Sequence, residues 1–180
     1  QHPTQALLDL YTMRKRFGAI EGLHVGIVGD IGHSRVCGSL IPALKTMGAE
    51  VTVIGPPTLM PAMPELLGAD HVTSDFDAAL PQLDVVYMLR IQRERLEGAP
   101  FPSLREYNLL FGLTREREKL MKPDAIVCHP GPLNRGVELD DYMADHLERS
   151  EILDQVYAGV LVRMASLYLL LGGSDHGIDA

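Results

Sequence analysis

Cysteine is scarce in this sequence, and its scarcity argues against two architectures at once. Cys37 and Cys128 are the only two cysteines. They lie far apart and form no CxxC pair, so neither a disulfide framework nor a cysteine-held metal is suggested, and a reducing, cytoplasmic setting is expected. Basic charge is also short. Sixteen Lys and Arg against 24 Asp and Glu give a formal net charge of −8, whereas a nucleic-acid partner calls for a basic face. Nucleic acid is therefore not an expected partner, although a few placed arginines can still build a local positive pocket for a small anion. No apolar run of membrane length stays unbroken. The longest, Val156 to Leu171, is interrupted by Gly159, Arg163 and Ser166, and no signal-peptide pattern precedes the fold, so no membrane is expected.

What is present is the composition of an ordinary globular domain: 180 residues, 46% hydrophobic and 22% charged, enough for one well-buried unit. Pro3 suits the first turn of a helix, Leu7, Leu10 and Tyr11 recur at helical spacing, and Gly18 closes the run. Short apolar runs predict strands at Leu23–Gly29, Val51–Ile54, His71–Thr73, Asp84–Met88 and Ala125–Cys128. Helical patterns fall between them, over Ser34–Met47 (with Ser34 as cap), Met63–Leu67, Phe76–Leu80, Ser103–Phe111 and Thr114–Met121. Residues 92–102 are charged and loop-like, suggesting an exposed segment. A long helix is expected from Glu151 to Leu171, with Tyr157, Val160, Leu161, Met164, Leu167, Tyr168 and Leu171 spread around much of its circumference. A surface helix shows a single apolar stripe, so this one is expected to pack between the domain and something else.

Strands alternating with helices define the fold class: α/β, a Rossmann-like parallel sheet of about five strands with helices on both faces, plus a long C-terminal helix. The organisation divides into an interdomain helix (1–20), an α/β domain (21–150) and the C-terminal helix (151–180). Ligands in such sheets bind beyond the carboxyl ends of the strands, and three polar clusters fall at those ends. They are Gly29-Asp30-Ile31-Gly32-His33-Ser34-Arg35, then Leu89-Arg90-Ile91-Gln92-Arg93-Glu94-Arg95, then His129-Pro130-Gly131-Pro132-Leu133-Asn134-Arg135-Gly136. A dinucleotide site is not supported, because the glycines after the first strand are spaced GxxGxxG and the second strand ends in Gly55 rather than an acid. Nor is there a GxxxxGK[ST] phosphate loop, a GxSxG elbow or an HExxH pair. Read alone, His2 is more simply a frayed terminal residue, His129 a shaper of its loop, His33 loop filler, and Arg93 and Arg95 members of a solvated charge cluster.

Four ordered motifs nevertheless resemble those of the carbamoyltransferases. His2-Pro3-Thr4-Gln5 is similar to the HPTQ motif shared by the aspartate and ornithine enzymes. Gly29-Asp30 with Ser34-Arg35 resembles a GD…R stretch, Leu89 to Arg95 an LRxQxER segment, and His129 to Gly136 an HPxPxxRG loop. Pro130 stands where the ornithine enzyme carries the cysteine of its HCLP loop, and no SMG motif is seen, so the resemblance is to the aspartate-binding half of aspartate carbamoyltransferase. An ornithine-type half and a non-catalytic binding or assembly module of the same fold are the alternatives. The resemblance implies the reaction of carbamoyl phosphate with L-aspartate to N-carbamoyl-L-aspartate and phosphate, early in pyrimidine synthesis, without cofactor or metal. It implies that Arg35 and Arg90 bind the aspartate carboxylates with help from Gln92. His2 and Gln5 would meet the carbamoyl group, with His2, Arg35 and Arg90 as the catalytic set. Gly131 and Pro132 would offer backbone carbonyls to the carbamoyl phosphate side. It further implies a partner, the N-terminal carbamoyl-phosphate domain with its Ser-Thr-Arg-Thr motif, which is absent from these 180 residues. A homotrimer of complete catalytic chains would follow, joined in some members by a regulatory or dihydroorotase chain. By itself the chain is expected to be inactive.

Overall fold

The structure, a computed structural model, describes residues 1–91 and 103–172. Five apolar runs form one sheet: β1 (His24–Val28), β2 (Glu50–Ile54), β3 (His71–Thr73), β4 (Val85–Met88) and β5 (Ile126–Cys128). The order is β3-β2-β1-β4-β5, and every pairing is parallel, with Val25 opposite both Val51 and Val85 and Tyr87 opposite Cys128. Strand alternation sorts the side chains into two cores. Val25, Ile27, Val53 and Tyr87 face one way, and Val28, Ile54, Val86 and Met88 the other. Both faces are apolar because helices cover both, as an all-parallel sheet requires.

The first face takes α1 (Pro3–Phe17) and α2 (Cys37–Thr46), through Ala6, Met13, Leu40, Ile41 and Leu44. The second takes α3 (Phe76–Ala79), α4 (Leu104–Phe111) and α6 (Asp141–Ala144), through Phe76, Tyr107, Phe111 and Met143. The short α5 (Arg115–Glu118) buries none of its side chains. The long α7 (Ile152–Leu170) lies along α1, joined to it by a Lys15–Asp154 ion pair at 2.9 Å and by a buried Gln155–Asp9 hydrogen bond. At the β5 edge, Val127 donates to Arg149 O at 2.7 Å and Glu151 donates to Val127 O at 2.9 Å, so the strand's outer backbone is partly paired.

Two helix boundaries differ from the sequence reading. The α2 helix begins at Cys37 rather than Ser34. Ser34 reaches the Cys37 N–H at 3.4 Å, but Val36 occupies the cap and Arg35 stays in the preceding turn. The helix expected over Thr114–Met121 shortens to α5, because Leu120 and Met121 donate to Arg117 O and Glu118 O, three residues back, and the chain tightens out of α geometry. The Met63–Leu67 helix is a 3₁₀ turn over Pro64–Leu67.

The α7 helix turns only one side to this domain. Ile152, Gln155, Ala158 and Gly159 point inward, while Leu153, Val156, Tyr157, Val160, Met164 and Leu167 are exposed. By length and composition α7 could cross a bilayer. Its inner face, however, carries the buried Gln155 and packs on α1.

Close approach of two loops fixes the carboxyl edge of the sheet. A Cβ on Gly55, just past β2, would sit 2.6 Å from the carbonyl oxygen of Gly29, just past β1. Both partners are backbone, so neither can swing aside. Gly55→Ala is expected to cost about 2–3 kcal/mol, measured as a fall in the urea midpoint; an unchanged midpoint would show that the edge relaxes freely.

Candidate active site

The sheet order reverses between β1 and β4. The chain runs outward from β1 to β2 and β3, then crosses back to β4 and β5. At such a switch point the loops diverge and leave a crevice at the strand ends. Arg35 follows β1 and Arg90 follows β4, so two guanidinium-bearing residues flank that crevice. The loop after β5 closes a third side with Pro130, Gly131 and Pro132, and the start of α1 brings His2 and Gln5. Together with Asp30, His33, Ser34, Val36 and Leu89 they line a cavity of about 180 Å³. Six of the seven residues singled out in the sequence thus meet in one place: His2, Gln5, Arg35, Arg90, Gly131 and Pro132. Gln92, the seventh, lies outside the described residues.

His2 is not frayed. Its backbone N–H donates to Ser39 Oγ at 2.9 Å, and its carbonyl accepts from the Gln5 and Ala6 N–H groups at 3.1 and 3.2 Å. It caps α1 in the same way that it reaches the cavity, and α2 holds it there. Burial lowers the imidazole's pKa below its ordinary value, and Arg35 and Arg163 lower it further. The ring is therefore neutral near pH 7 and carries a single N–H to donate.

Gln5 is buried, and its amide nitrogen donates to Asp9 Oδ1 at 3.0 Å. That bond leaves the amide oxygen as the end suited to accept from a substrate N–H. Asp30 is the cavity's acidic side chain. It accepts from the His33 backbone N–H at 3.2 Å and pairs with His33 Nδ1 at 2.8 Å. His33, read as filler in the sequence, thus lines the cavity and holds Asp30, its one carboxylate among the described residues. With Asp30 so engaged, Arg35 and Arg90 give the cavity a positive character on a protein of net charge −8.

The loop after β5 is built from within. Gly131 has φ +65°, a left-handed conformation that suits glycine, and its bond to Pro132 is cis. The Gly131 N–H donates to His129 Nδ1 at 2.9 Å, which leaves His129 Nε2 to carry the proton and donate to Glu138 Oε1 at 3.1 Å. Glu138 also accepts from the Asn134 N–H at 2.6 Å, and Asn134 Nδ2 donates to Ile91 O at 2.9 Å, tying the loop to the end of β4. His129 is fully buried, so it shapes the loop and does not line the cavity.

A wider cleft of about 570 Å³ lies on the other side of the sheet edge, between Pro56, Phe76, Leu110 and Arg117. Arg117 is spent there on the carbonyls of Leu109, Leu110 and Gly112 at the end of α4. None of the residues singled out in the sequence lines this cleft. Among the described residues no cluster of three or more His, Cys, Asp or Glu side chains is placed to hold a metal ion.

An open parallel sheet with cationic side chains meeting at its switch point defines the class: an α/β domain with a positively lined crevice at its carboxyl edge. The comparisons give that class a family. Residues 21–170 match the model of the aspartate/ornithine carbamoyltransferase Asp/Orn binding domain, and the chain belongs to this family. It is 58% identical over 170 residues to an aspartate carbamoyltransferase catalytic subunit of Rhizorhabdus wittichii, covering 94% of this chain and 54% of that one. It is 53% identical to the corresponding subunit of Salinispora tropica, covering 98% and 58%. Among solved structures, aspartate transcarbamoylase from Trypanosoma cruzi in complex with carbamoyl phosphate superposes with a TM-score of 0.83 at 30% identity, over 93% of this chain and 55% of that one. Ornithine carbamoyltransferase from Pyrococcus furiosus gives 0.80 at 28%, over 97% and 58%. The chain spans about half the length of the curated relatives it matches.

Proposed function

We propose that this chain is the aspartate-binding half of an aspartate carbamoyltransferase, joining carbamoyl phosphate to L-aspartate to give N-carbamoyl-L-aspartate and phosphate in pyrimidine synthesis. The observation that carries the reading is the convergence of Arg35, Arg90, His2 and the Pro130–Pro132 loop on one cavity at the switch point. Aspartate presents two carboxylates, and a guanidinium fork matches a carboxylate in geometry and charge. Arg35 and Arg90 each take one, and Gln92 helps hold the molecule. The neutral His2 ring donates its N–H to the carbamoyl oxygen, where negative charge develops as the amine attacks. Gln5 accepts from the carbamoyl NH₂, and the Gly131 and Pro132 carbonyls orient the amine and the carbamoyl nitrogen. The new C–N bond replaces the C–O bond to the leaving phosphate, and the proton that the amine loses departs on that phosphate. No covalent enzyme intermediate is required, so the rate comes from positioning and electrostatics.

The ornithine enzyme of Pyrococcus furiosus shares the fold, so fold alone does not choose the acceptor. Pro130 in place of a cysteine, and aspartate-type relatives at 53–58% identity, favour aspartate. The phosphate is bound by a carbamoyl-phosphate domain that these residues do not contain. That domain covers the apolar outer face of α7 and the exposed Leu7 and Tyr11 of α1, surfaces whose exposure is otherwise costly. The helix expected over residues 1–20 and α7 are then the interdomain helices around the 21–150 unit, residues 173–180 of the expected C-terminal segment lying outside the described residues. The complete chains assemble as a homotrimer in the cytoplasm.

The test is formation of N-carbamoyl-L-aspartate from the two substrates, with this chain alone and then combined with its carbamoyl-phosphate domain. Product from the combination only is expected. No product from a combination shown to assemble would overturn the catalytic reading and leave a binding module of the same fold.

A further inference from the structure

The strongest feature outside the cavity lining is a buried polar chain that links α7 to the loop carrying Gly131 and Pro132. Gln155 on α7 is 2% exposed, and both ends of its amide are used. Its Nε2 donates to Asp9 Oδ1 at 2.7 Å, and its Oε1 accepts from the His129 backbone N–H at 2.8 Å. From His129 the chain continues through the ring to the Gly131 N–H and to Glu138, and from Asp9 through Oδ1 to the Gln5 amide at 3.0 Å. Tyr87 on β4 donates to Asp9 Oδ2 at 2.8 Å and completes the hub. Gln155 therefore touches no cavity atom, yet it stands between two of the cavity's walls, Gln5 on one side and the Gly131–Pro132 loop on the other.

We infer that Gln155 is a positioning residue for the carbamoyl side of the site. Seated against α1, it fixes the height of the loop after β5 by holding the His129 N–H, and it fixes the Gln5 amide by sharing Asp9 with it. The inference rests on the function proposed above, since the loop and Gln5 are the groups given there to the carbamoyl moiety. An apolar side chain of similar length would fill the same space but hold neither partner. The loop end and the Gln5 rotamer would then be free to drift, and a displacement of about 1 Å in such a site costs up to about a hundredfold in rate. The arrangement also makes the seating of α7 and the pose of the loop a single mechanical unit: whatever shifts α7 along α1 moves the His129 end of β5 with it.

The experiment uses the chain combined with its carbamoyl-phosphate domain and measures kcat, KM for each substrate, and thermal midpoint. Gln155→Leu is expected to raise KM for carbamoyl phosphate by about tenfold and to lower kcat by about tenfold, with KM for aspartate changed much less. Gln155→Glu keeps an acceptor for the His129 N–H but loses the donor to Asp9 and sets a second carboxyl beside it, so it is expected to recover only part of the KM, through the loop alone; it also serves if the leucine variant does not fold. Ile152→Ala, which opens a buried apolar site on the same helix away from the polar chain, is expected to lower the thermal midpoint while leaving both KM values unchanged. Wild-type kinetics in Gln155→Leu, with only its midpoint lowered like that of Ile152→Ala, would overturn the inference and leave Gln155 a structural residue. Equal loss in Gln155→Leu and Gln155→Glu, spread over both substrates, would overturn it as well. An assembled wild type that forms no product would instead remove the functional reading, and this inference with it.

Discussion

Arg90→Ala is expected to lower kcat/KM for aspartate by roughly a thousandfold in the assembled enzyme while leaving the far-UV circular dichroism unchanged. Arg90 lies two residues past β4, at the switch point, and the strand that precedes it is fully buried. Its backbone is therefore fixed by the sheet, and truncating the side chain leaves that backbone in place. What is lost is a charge-assisted, two-pronged hydrogen bond in a partly desolvated cavity. Removing one partner of such a pair costs about 2–5 kcal/mol, and each 1.4 kcal/mol is a factor of ten, so roughly thirtyfold to several thousandfold is the range. Arg90→Lys separates charge from shape. Lysine keeps the cation but not the fork, and an intermediate loss of about ten- to a hundredfold is expected. Initial rates against aspartate at saturating carbamoyl phosphate measure both. An Arg90→Ala enzyme within threefold of the wild type would show that the cavity is not where aspartate binds. Arg35, on the opposite lip, is expected to behave similarly. The double variant should lose less than the product of the two single losses if both hold one molecule.

Arg35 and Arg90 were legible because position and chemistry agree. An arginine just beyond a buried parallel strand is unremarkable alone, but the strand order gives three such loops one edge to share. The strands themselves were legible for the same kind of reason: runs such as Val51–Ile54 and Val85–Met88 are apolar on both faces and too short to be helices. Helix ends were less so. Gly18 and Ser103 cap as their residue types suggest, Gly18 with φ +83° and Ser103 by accepting from the Glu106 N–H at 3.1 Å. Ser34 looks equally like a cap, but the turn that places Arg35 on the cavity delays α2 by three residues.

What sequence could not show is the polar interior. Asp9 and Gln155 are 146 positions apart, and a polar residue on a helix is ordinarily read as solvent-facing. The apolar residues of α7, spread around the helix, did not mark which side turns inward; that side is Ile152, Gln155, Ala158 and Gly159. Small and polar residues let α7 approach α1 closely and carry the hydrogen bonds; the leucines are turned outward. One local signal was available, the Gln5–Asp9 pair at i and i+4 on α1, which brings the two side chains onto one helical face.

Asp9→Asn is expected to stabilise the protein far more at pH 8 than at pH 5. Asp9 is fully buried, and burial pushes its carboxyl up to about 7, against the pull of the Tyr87, Gln155 and Gln5 hydrogen bonds, which favour the charged form. The folded protein therefore retains a proton that the unfolded chain releases near the ordinary value of 3.8. Between those two values the folded state binds more protons, so stability falls as pH rises through the window from about 4 to about 7. Converted at about 1.4 kcal/mol per unit, the cost above pH 7 is of order 4 kcal/mol. Asparagine removes the charge and keeps the shape. Its Oδ1 accepts from Gln5 and Gln155 as before, and its Nδ2 can donate to the Tyr87 oxygen in place of accepting from it. The variant is expected to lead the wild type by about 1–2 kcal/mol near pH 5, where only the unfolded chain has released the Asp9 proton, and by about 4 kcal/mol at pH 8, a further gain of roughly 10 °C in thermal midpoint for a chain of this size. The difference between the two proteins isolates Asp9 from groups of opposite sign, such as Asp70, whose carboxyl Lys45 holds below the usual range and whose contribution is lost in acid. Urea or thermal unfolding of both proteins from pH 5 to pH 8.5 makes the comparison. A stability difference that does not vary with pH would mean that Asp9 is ionised throughout the range, its charge held by the three donors despite burial.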